Sequence, residues 1–272
     1  MIPKIIHYCW FGEREIPDSD KKNIEGWKRL NPKYQIMFWN EDNYDIQNSK
    51  NIYMKQAYEA KKLGFVPDYV RTNIIYRYGG FYFDTDVELL KPLDSLLDYK
   101  CIMGFQDKDF VNHGHGFAAE PQHPLIKGIL DVYEHLRFIN EDGSLNLIPS
   151  PVYLSDYLET QGLTRNNQKQ YIGDAIIFPS EYFCPIDYVS RTSQITNNTY
   201  GIHHYAESWH NGLERTTNNI EKFFKENFGE KLGDLMGRIF SFPFRILNKF
   251  QQLGAKGTIR FIVYKIQREK NT

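Results

Sequence analysis

Two aspartates separated by one threonine, Asp84 and Asp86, close an aromatic run, Phe81-Tyr82-Phe83. Ionised carboxylates beside an apolar strand are costly unless they are paired or hold a cation. By the two-residue alternation of a strand, Tyr82 faces away from Phe81 and Phe83, and Asp84 and Asp86 follow Tyr82 if the extended geometry persists. One face then carries a phenol and two hard oxygen ligands, a set that suits Mg2+ or Mn2+ together with phosphate oxygens. A bare D-x-D is common by chance. The aromatic strand before it and the apolar Val87-Glu88-Leu89-Leu90 after it give it weight.

The elements around this pair supply further chemistry. Gly79-Gly80 permits a tight reversal just before the strand. Pro67 opens a helix at the position where proline is best tolerated. On that helix Asp68, Arg71 and Ile75 share a face by the three-and-four spacing. Asp68 in the first turn meets the helix dipole favourably, and Arg71 is placed to pair with it. Because the helix runs straight into the diglycine, its first turn is expected near the acid pair.

Three other stretches contain candidate ligands. Trp10, at the end of an apolar strand from Ile2 to Phe11, either stacks on a planar base or caps the sheet. In V-N-H-G-H-G-F-A-A (111–119), Asn112, His113 and His115 suit sugar contacts. Two histidines at that spacing also resemble metal ligands, but no third ligand lies near them in the chain, and a polar loop is the preferred reading. In G-I-H-H-Y-A-E-S-W (201–209) only one of His203 and His204 faces a given side. One of them, or Glu207, completes a cation site, or all are polar groups at a strand end.

The pattern of the chain is β-α-β-α, which predicts an α/β fold opening on a parallel sheet. Strands are expected at 2–11, 34–39, 81–83, 101–105 and 175–178, and helices at 18–30, 52–63, from Pro67, at 125–138 and at 150–158 with Ser150 as a cap. The 272 residues are 41% hydrophobic and 25% charged, the balance of a folded domain. Cys9, Cys101 and Cys184 are odd in number and show no zinc spacing, which predicts a reducing compartment. Neither a secretory leader nor an apolar run of the ~18–20 residues that span a bilayer is evident. The net charge of -1 hides an asymmetry: residues 231–272 hold nine basic and two acidic side chains, so the tail is +7 and the rest -8. Its helices, expected over 220–252 with a break at Pro243 and over 258–266, mix Phe and Leu with Arg and Lys. That composition suits an anionic membrane surface or a helical appendage packed on the main domain.

Three stretches together, I-P-K-I-I-H-Y-C-W-F-G, D-Y-V-R-T-N-I-I-Y-R-Y-G-G-F-Y-F-D-T-D and H-H-Y-A-E-S-W, resemble glycosyltransferase family 32. That family includes capsular and surface-polysaccharide transferases and yeast mannosyltransferases, and it is similar to the glucosylating domains of large clostridial toxins. The resemblance covers residues 1–210 or so and implies a GT-A-type α/β catalytic domain, taken as 1–228; the basic helical appendage at 229–272 carries no motif of the family and rests on composition and charge. It implies metal-dependent (Mn2+ or Mg2+), retaining transfer of a hexose from a nucleotide sugar, UDP-linked by first choice. The acceptor it implies is a lipid-linked or oligosaccharide precursor of a surface polysaccharide, without nucleic acid, and the basic tail adds the expectation of work at the cytoplasmic face of the membrane. Carried over, Asp68, Arg71, Asp84 and Asp86 are the catalytic set. Trp10, Tyr82, Asn112, Ser208 and Trp209 join Asp68, Arg71 and Asp84 on the substrate. Asp84 and Asp86 bind the cation, with His204 preferred over Glu207 as the remaining ligand. Ser208 and Trp209 are adjacent here, whereas the toxin-like pattern separates them by one residue. A toxin-like effector acting on a host protein and a non-catalytic carbohydrate-binding module are the competing readings.

Overall fold

A computed structural model describes residues 1–186, 193–205, 212–229, 232–233 and 235–247. They fall in two compact units, Met1–Ala206 and Glu207–Thr272.

The first unit runs β1 (Ile5–Cys9), α1 (Asp18–Leu30), β2 (Gln35–Trp39), α2 (Ile52–Glu59), α3 (Val66–Tyr78), β3 (Gly80–Phe83), β4 (Val87–Leu89), β5 (Cys101–Phe105), β6 (Val111–Asn112), β7 (His115–Ala119), α4 (Pro124–His135), α5 (Ser150–Thr160), β8 (Gln170–Ile172), β9 (Ala175–Phe178) and β10 (Gly201–His203). The α/β expectation is met, but the sheet is mixed. Its order is β2-β1-β3-β7-β5-β9-β8, with β6 on β5. β1 is parallel to β2 and β3, and β5 to β9, while β7 runs antiparallel to both β3 and β5. A separate antiparallel ribbon, β4 with β10, pairs Val87 with His203. These three-residue strands are too short to show an alternation in the sequence.

The sheet's faces are filled as the side-chain alternation of β3 demands. Tyr82 packs on one side with Cys9, Val70 and Ile74. Phe81 and Phe83 pack on the other with Ile6 and Trp27. α3 begins with Pro67 in its first turn and stops at Gly79, which has φ +64°. Gly80 follows at φ +96°, and a Cβ there would lie 2.7 Å from the Ile5 carbonyl oxygen. The reversal therefore needs glycine both for its dihedral angles and for the contact with β1. Below it the buried His7 bridges strands: Trp39 Nε1 donates to its Nδ1 at 3.0 Å, and its Nε2 meets Gly79 O at 2.9 Å. Burial lowers this imidazole to about 4, so it is neutral at physiological pH.

Two local expectations are corrected. α2 ends at Glu59, followed by a short 3-10 turn at Leu63–Phe65. Ser150 is the first residue of α5 rather than its cap, because Pro149 occupies that position.

In the second unit α6 spans Gly212–Phe228, and residues 235–247 are helical. The break falls at Gly229, φ +76°, and the second helix continues through Pro243. Glycine ends a helix in the left-handed conformation at little cost, which is why it, and not the proline, sets the boundary. Phe224 stacks on Phe240 at 4.7 Å, and Glu221 accepts from Ser241 at 2.7 Å and from Arg245 Nε at 2.9 Å. Phe223, Leu235, Ile239, Phe242 and Leu247 stay exposed. No helix among the described residues is long and apolar enough to cross a membrane. Residues 248–252 and the expected helix at 258–266 lie outside the described residues.

Gly80→Ala is expected to cost about 2–3 kcal/mol, since overpacking and a strained φ act together. In a chain of this size that lowers Tm by roughly 4–10 °C. Thermal unfolding followed by circular dichroism measures it, and an unchanged Tm would contradict the tight β1–β3 approach.

Candidate active site

The acid pair does not continue the strand. Val87 N–H donates to Asp84 O at 3.0 Å, so residues 84–87 form a turn, and the two carboxylates take different partners. Asp84 stays on the Tyr82 side, where the phenol donates to its Oδ1 at 2.9 Å. Asp86 turns to the β4–β10 ribbon, with Oδ1 at 3.3 Å from His203 Nε2.

Helix α1 holds this turn through one face. Thr85 Oγ1 donates to the buried Asp20 at 2.7 Å, Asn23 Nδ2 donates to Thr85 O at 3.0 Å, and Trp27 Nε1 donates to Val87 O at 2.8 Å. Asp20, Asn23 and Trp27 follow the three-and-four spacing of a helix face, so that signal was present in the sequence. What gave it no meaning there was the absence of any local clue to its partners, some sixty residues away.

Helix α3 supplies the counter-charge. The Arg71 guanidinium, 6% exposed, lies between two acids. Nη2 pairs with Asp68, and Nη1 lies 3.2 Å from Asp84 Oδ2. Nε is occupied by Pro67 O at 3.1 Å, and the group sits 5.4 Å from the Tyr82 ring centre. Burial opposes the Arg71 charge, but Asp84 and Asp68 outweigh it and hold the guanidinium protonated. For Asp68 the balance reverses. Burial raises its carboxyl to about 6, although Arg71 and a hydrogen bond from Ser150 pull it down. Ser150 thus acts at the head of α5 as a partner of Asp68.

The third wall is the turn between β6 and β7. Asp84 N–H donates to Gly114 O at 2.7 Å. A Cβ on Gly114 would lie 2.1 Å from Asp84 Oδ2 and 2.6 Å from Arg71 Nη1. Only glycine leaves this side of the carboxylate clear. Asn112 sets the turn: its Oδ1 accepts from Gly114 N at 2.7 Å, and its Nδ2 donates to Gln106 at 2.9 Å. His113 and His115 are fully buried rather than in a polar loop. Burial, reinforced by the Arg71 charge, keeps His113 neutral.

The structure therefore brings Asp68, Arg71, Tyr82, Asp84 and Asn112 together, with Asp86 on the adjoining turn. Trp10 lies apart from this hydrogen-bonded group. It lines an open surface cavity of about 460 Å³ with Gly12, Arg14, Phe38 and Glu41, and its Nε1 donates to Arg14 O at 2.6 Å. The described lining of that cavity includes neither aspartate of the pair. The histidine facing Asp86 is His203; the ring of His204 goes instead to Glu88 at 3.0 Å, nearly half exposed. Pairing of β10 with β4 decides this, since adjacent residues of a strand point oppositely. Glu207, Ser208 and Trp209 lie outside the described residues.

The oxygens of the Asp84 and Asp86 carboxylates suit a hard divalent cation, while the Arg71 guanidinium, shared by Asp68 and Asp84, offsets part of their charge. Asp84 and Asp86 are the residues that would hold such an ion.

Residues 17–103 match the family model described as the glycosyltransferase sugar-binding region containing the DXD motif, a span that includes α1, α3 and the acid pair. Among curated relatives, inositol phosphoceramide mannosyltransferase 1 of Schizosaccharomyces pombe is 27% identical over 57% of this chain and 50% of its own. Inositol phosphoceramide mannosyltransferase 3 of the same yeast is 33% identical over 46% of this chain and 35% of its own. The chain spans half or less of the length of these two relatives. A solved structure titled PaToxG Glycosyltransferase aligns at 17% identity over 59% of this chain and 69% of that one, with a TM-score of 0.48.

Asp68 yields a pH signature. The unfolded chain loses this proton near pH ~3.9 and the folded chain near 6. The folded state therefore holds the extra proton between those values, and the stability this contributes is full below the lower one and lost as pH rises through 6. Asp68→Asn is expected to flatten that part of the Tm-against-pH curve relative to the wild type. Parallel curves would mean that Asp68 ionises normally.

Proposed function

We propose that this chain is a GT-A-type, metal-dependent, retaining hexosyltransferase that uses a nucleotide diphosphosugar. The observation that carries the reading is the acid pair. Two carboxylates sit on a turn that α1 clamps, inside the region matched to a glycosyltransferase sugar-binding module.

The chemistry follows from the charges. Arg71 is a single cation shared by two carboxylates, so the cluster stays anionic and attracts a divalent ion, Mn2+ or Mg2+. When bound, that ion supplies neutralisation of the negative charge on the departing diphosphate. Arg71 and the Tyr82 hydroxyl fix the Asp84 carboxylate, so little reorganisation is required as charge develops. Asp68 lies beside Arg71 to orient the hexose. In the transfer, the bond from the sugar's anomeric carbon to phosphate oxygen breaks, and a bond from that carbon to the acceptor oxygen forms on the same face. The acceptor proton passes to the leaving diphosphate. Trp10 is proposed as the platform for the base.

The hexose donor is proposed to be UDP-linked. A nucleotide-linked mannose is the second reading, favoured by the mannosyltransferase relatives. The acceptor is proposed to be a lipid-linked precursor of a surface polysaccharide, reached at the cytoplasmic face of the membrane. Exposed Ile239 and Phe242, beside Arg238, suit an anionic leaflet there.

Incubating the protein with UDP-hexoses and nucleotide-linked mannose is expected to release nucleotide diphosphate from one of them, only with Mn2+ or Mg2+. Asp86→Ala is expected to lower kcat/KM by roughly 100-fold or more, the scale of losing one electrostatic stabiliser. An Asp86→Ala enzyme with wild-type turnover would sink the reading, as would metal-independent binding of sugar without turnover.

For the membrane surface, Ile239→Ser with Phe242→Ser is expected to weaken binding to phosphatidylserine-containing vesicles by about tenfold per side chain lost. Equal sedimentation of variant and wild type with vesicles would count against it.

A further inference from the structure

Beside the acid pair lies a second constellation of a different chemical character. His115 opens β7, Cys184 follows the turn after β9, and His203 ends β10. Each offers one ligand atom, these atoms lie within 4.8 Å of one another, and all three residues are buried. Along the chain a polar loop is the preferred reading for His115, because no third donor lies near it. The fold brings the other two from about seventy and ninety residues downstream.

Two features set this group apart from ordinary core packing. No hydrogen bond of standard geometry reaches either ring nitrogen of the fully buried His115, or Nδ1 of His203. Buried polar atoms left this way are uncommon and costly. Yet His203 is not loose: its Nε2 faces Asp86 Oδ1 at 3.3 Å, and its ring also meets the Cys184 thiol. A carboxylate behind an imidazole is the arrangement that orients metal-binding histidines. Cys184 Sγ has an outer partner too, the Tyr205 hydroxyl at 2.8 Å, held by a backbone with φ +52°.

We propose that His115, Cys184 and His203 form a site for a thiophilic divalent cation, with Zn2+ as the best match. Two imidazoles and one thiolate are the borderline-soft set that zinc prefers, and a fourth position remains for water or a carboxylate. Mg2+ and Mn2+ favour the oxygens of Asp84 and Asp86, so the two neighbouring sites select different ions. His203 joins them, being a ligand of one and the contact of Asp86 in the other.

The test uses the full chain and Co2+ as a spectroscopic probe for Zn2+. One equivalent is expected to give a thiolate-to-cobalt charge-transfer band in the near ultraviolet, and Zn2+ to abolish it. Cys184→Ser is expected to lose the band, while Cys101→Ala and Asp84→Asn keep it. His115→Gln is expected to weaken Co2+ binding by at least the roughly 10–100-fold that loss of an outer-shell partner costs. Circular dichroism establishes that each variant is folded, and if Cys184→Ser is not, His115→Gln decides. The absence of the band at saturating Co2+, its survival in Cys184→Ser, or unaltered Co2+ affinity in folded His115→Gln would overturn the proposal. Because the readout is the ion itself and not turnover, the outcome is independent of the glycosyl-transfer reading.

Discussion

One buried guanidinium carries the electrostatics of this site. Arg71 is the shared partner of Asp68 and Asp84, and both it and Asp68 are almost fully removed from solvent. Taking ions out of water costs several kcal/mol each unless geometry and further hydrogen bonds compensate. The neighbourhood is organised to compensate. Pro67 offers its carbonyl to Arg71 Nε, Ser150 serves Asp68, and Tyr82 serves Asp84. These residues come from three elements, α3, α5 and β3, which meet around one charge arrangement. Burial still raises the Asp68 carboxyl, so the compensation is incomplete.

The acid pair depends on a second constraint, the grip of α1 on the turn. A turn that presents two carboxylates close in the chain is self-repelling and needs outside support. Asp20 and Asn23 hold its middle residue, and Trp27 holds its exit, all from one helix face. Gly114 on the opposite side contributes by having no side chain.

Much of this was legible in the chain, for identifiable reasons. α1 and α3 have clean helical spacing and a proline or asparagine-proline at their ends, and their limits matched closely. Asp68, Arg71, Tyr82 and Asp84 were grouped because they sit on adjacent elements joined by a diglycine turn. Local rules failed where long-range pairing decides. Extended geometry past Phe83 was a reasonable default, and only the hydrogen bond from Val87 to Asp84 shows that it ends. The choice of His203 over His204 is set by β10 lying against β4, two strands of three residues each with no periodicity to read. The antiparallel β7 likewise lies between parallel neighbours for reasons of topology, not composition.

The turn at residues 84–87 has a consequence for how such a site can change over time. Asp84 answers to α3 and the Gly114 turn, whereas Asp86 answers to the ribbon from the far end of the unit. A substitution in α3 therefore perturbs one carboxylate first, and a substitution in β10 the other. The two halves of a motif only three residues long are under separate mechanical control. A lineage can adjust one half while the other holds its place, so short motifs of this kind can persist while the surrounding sequence diverges.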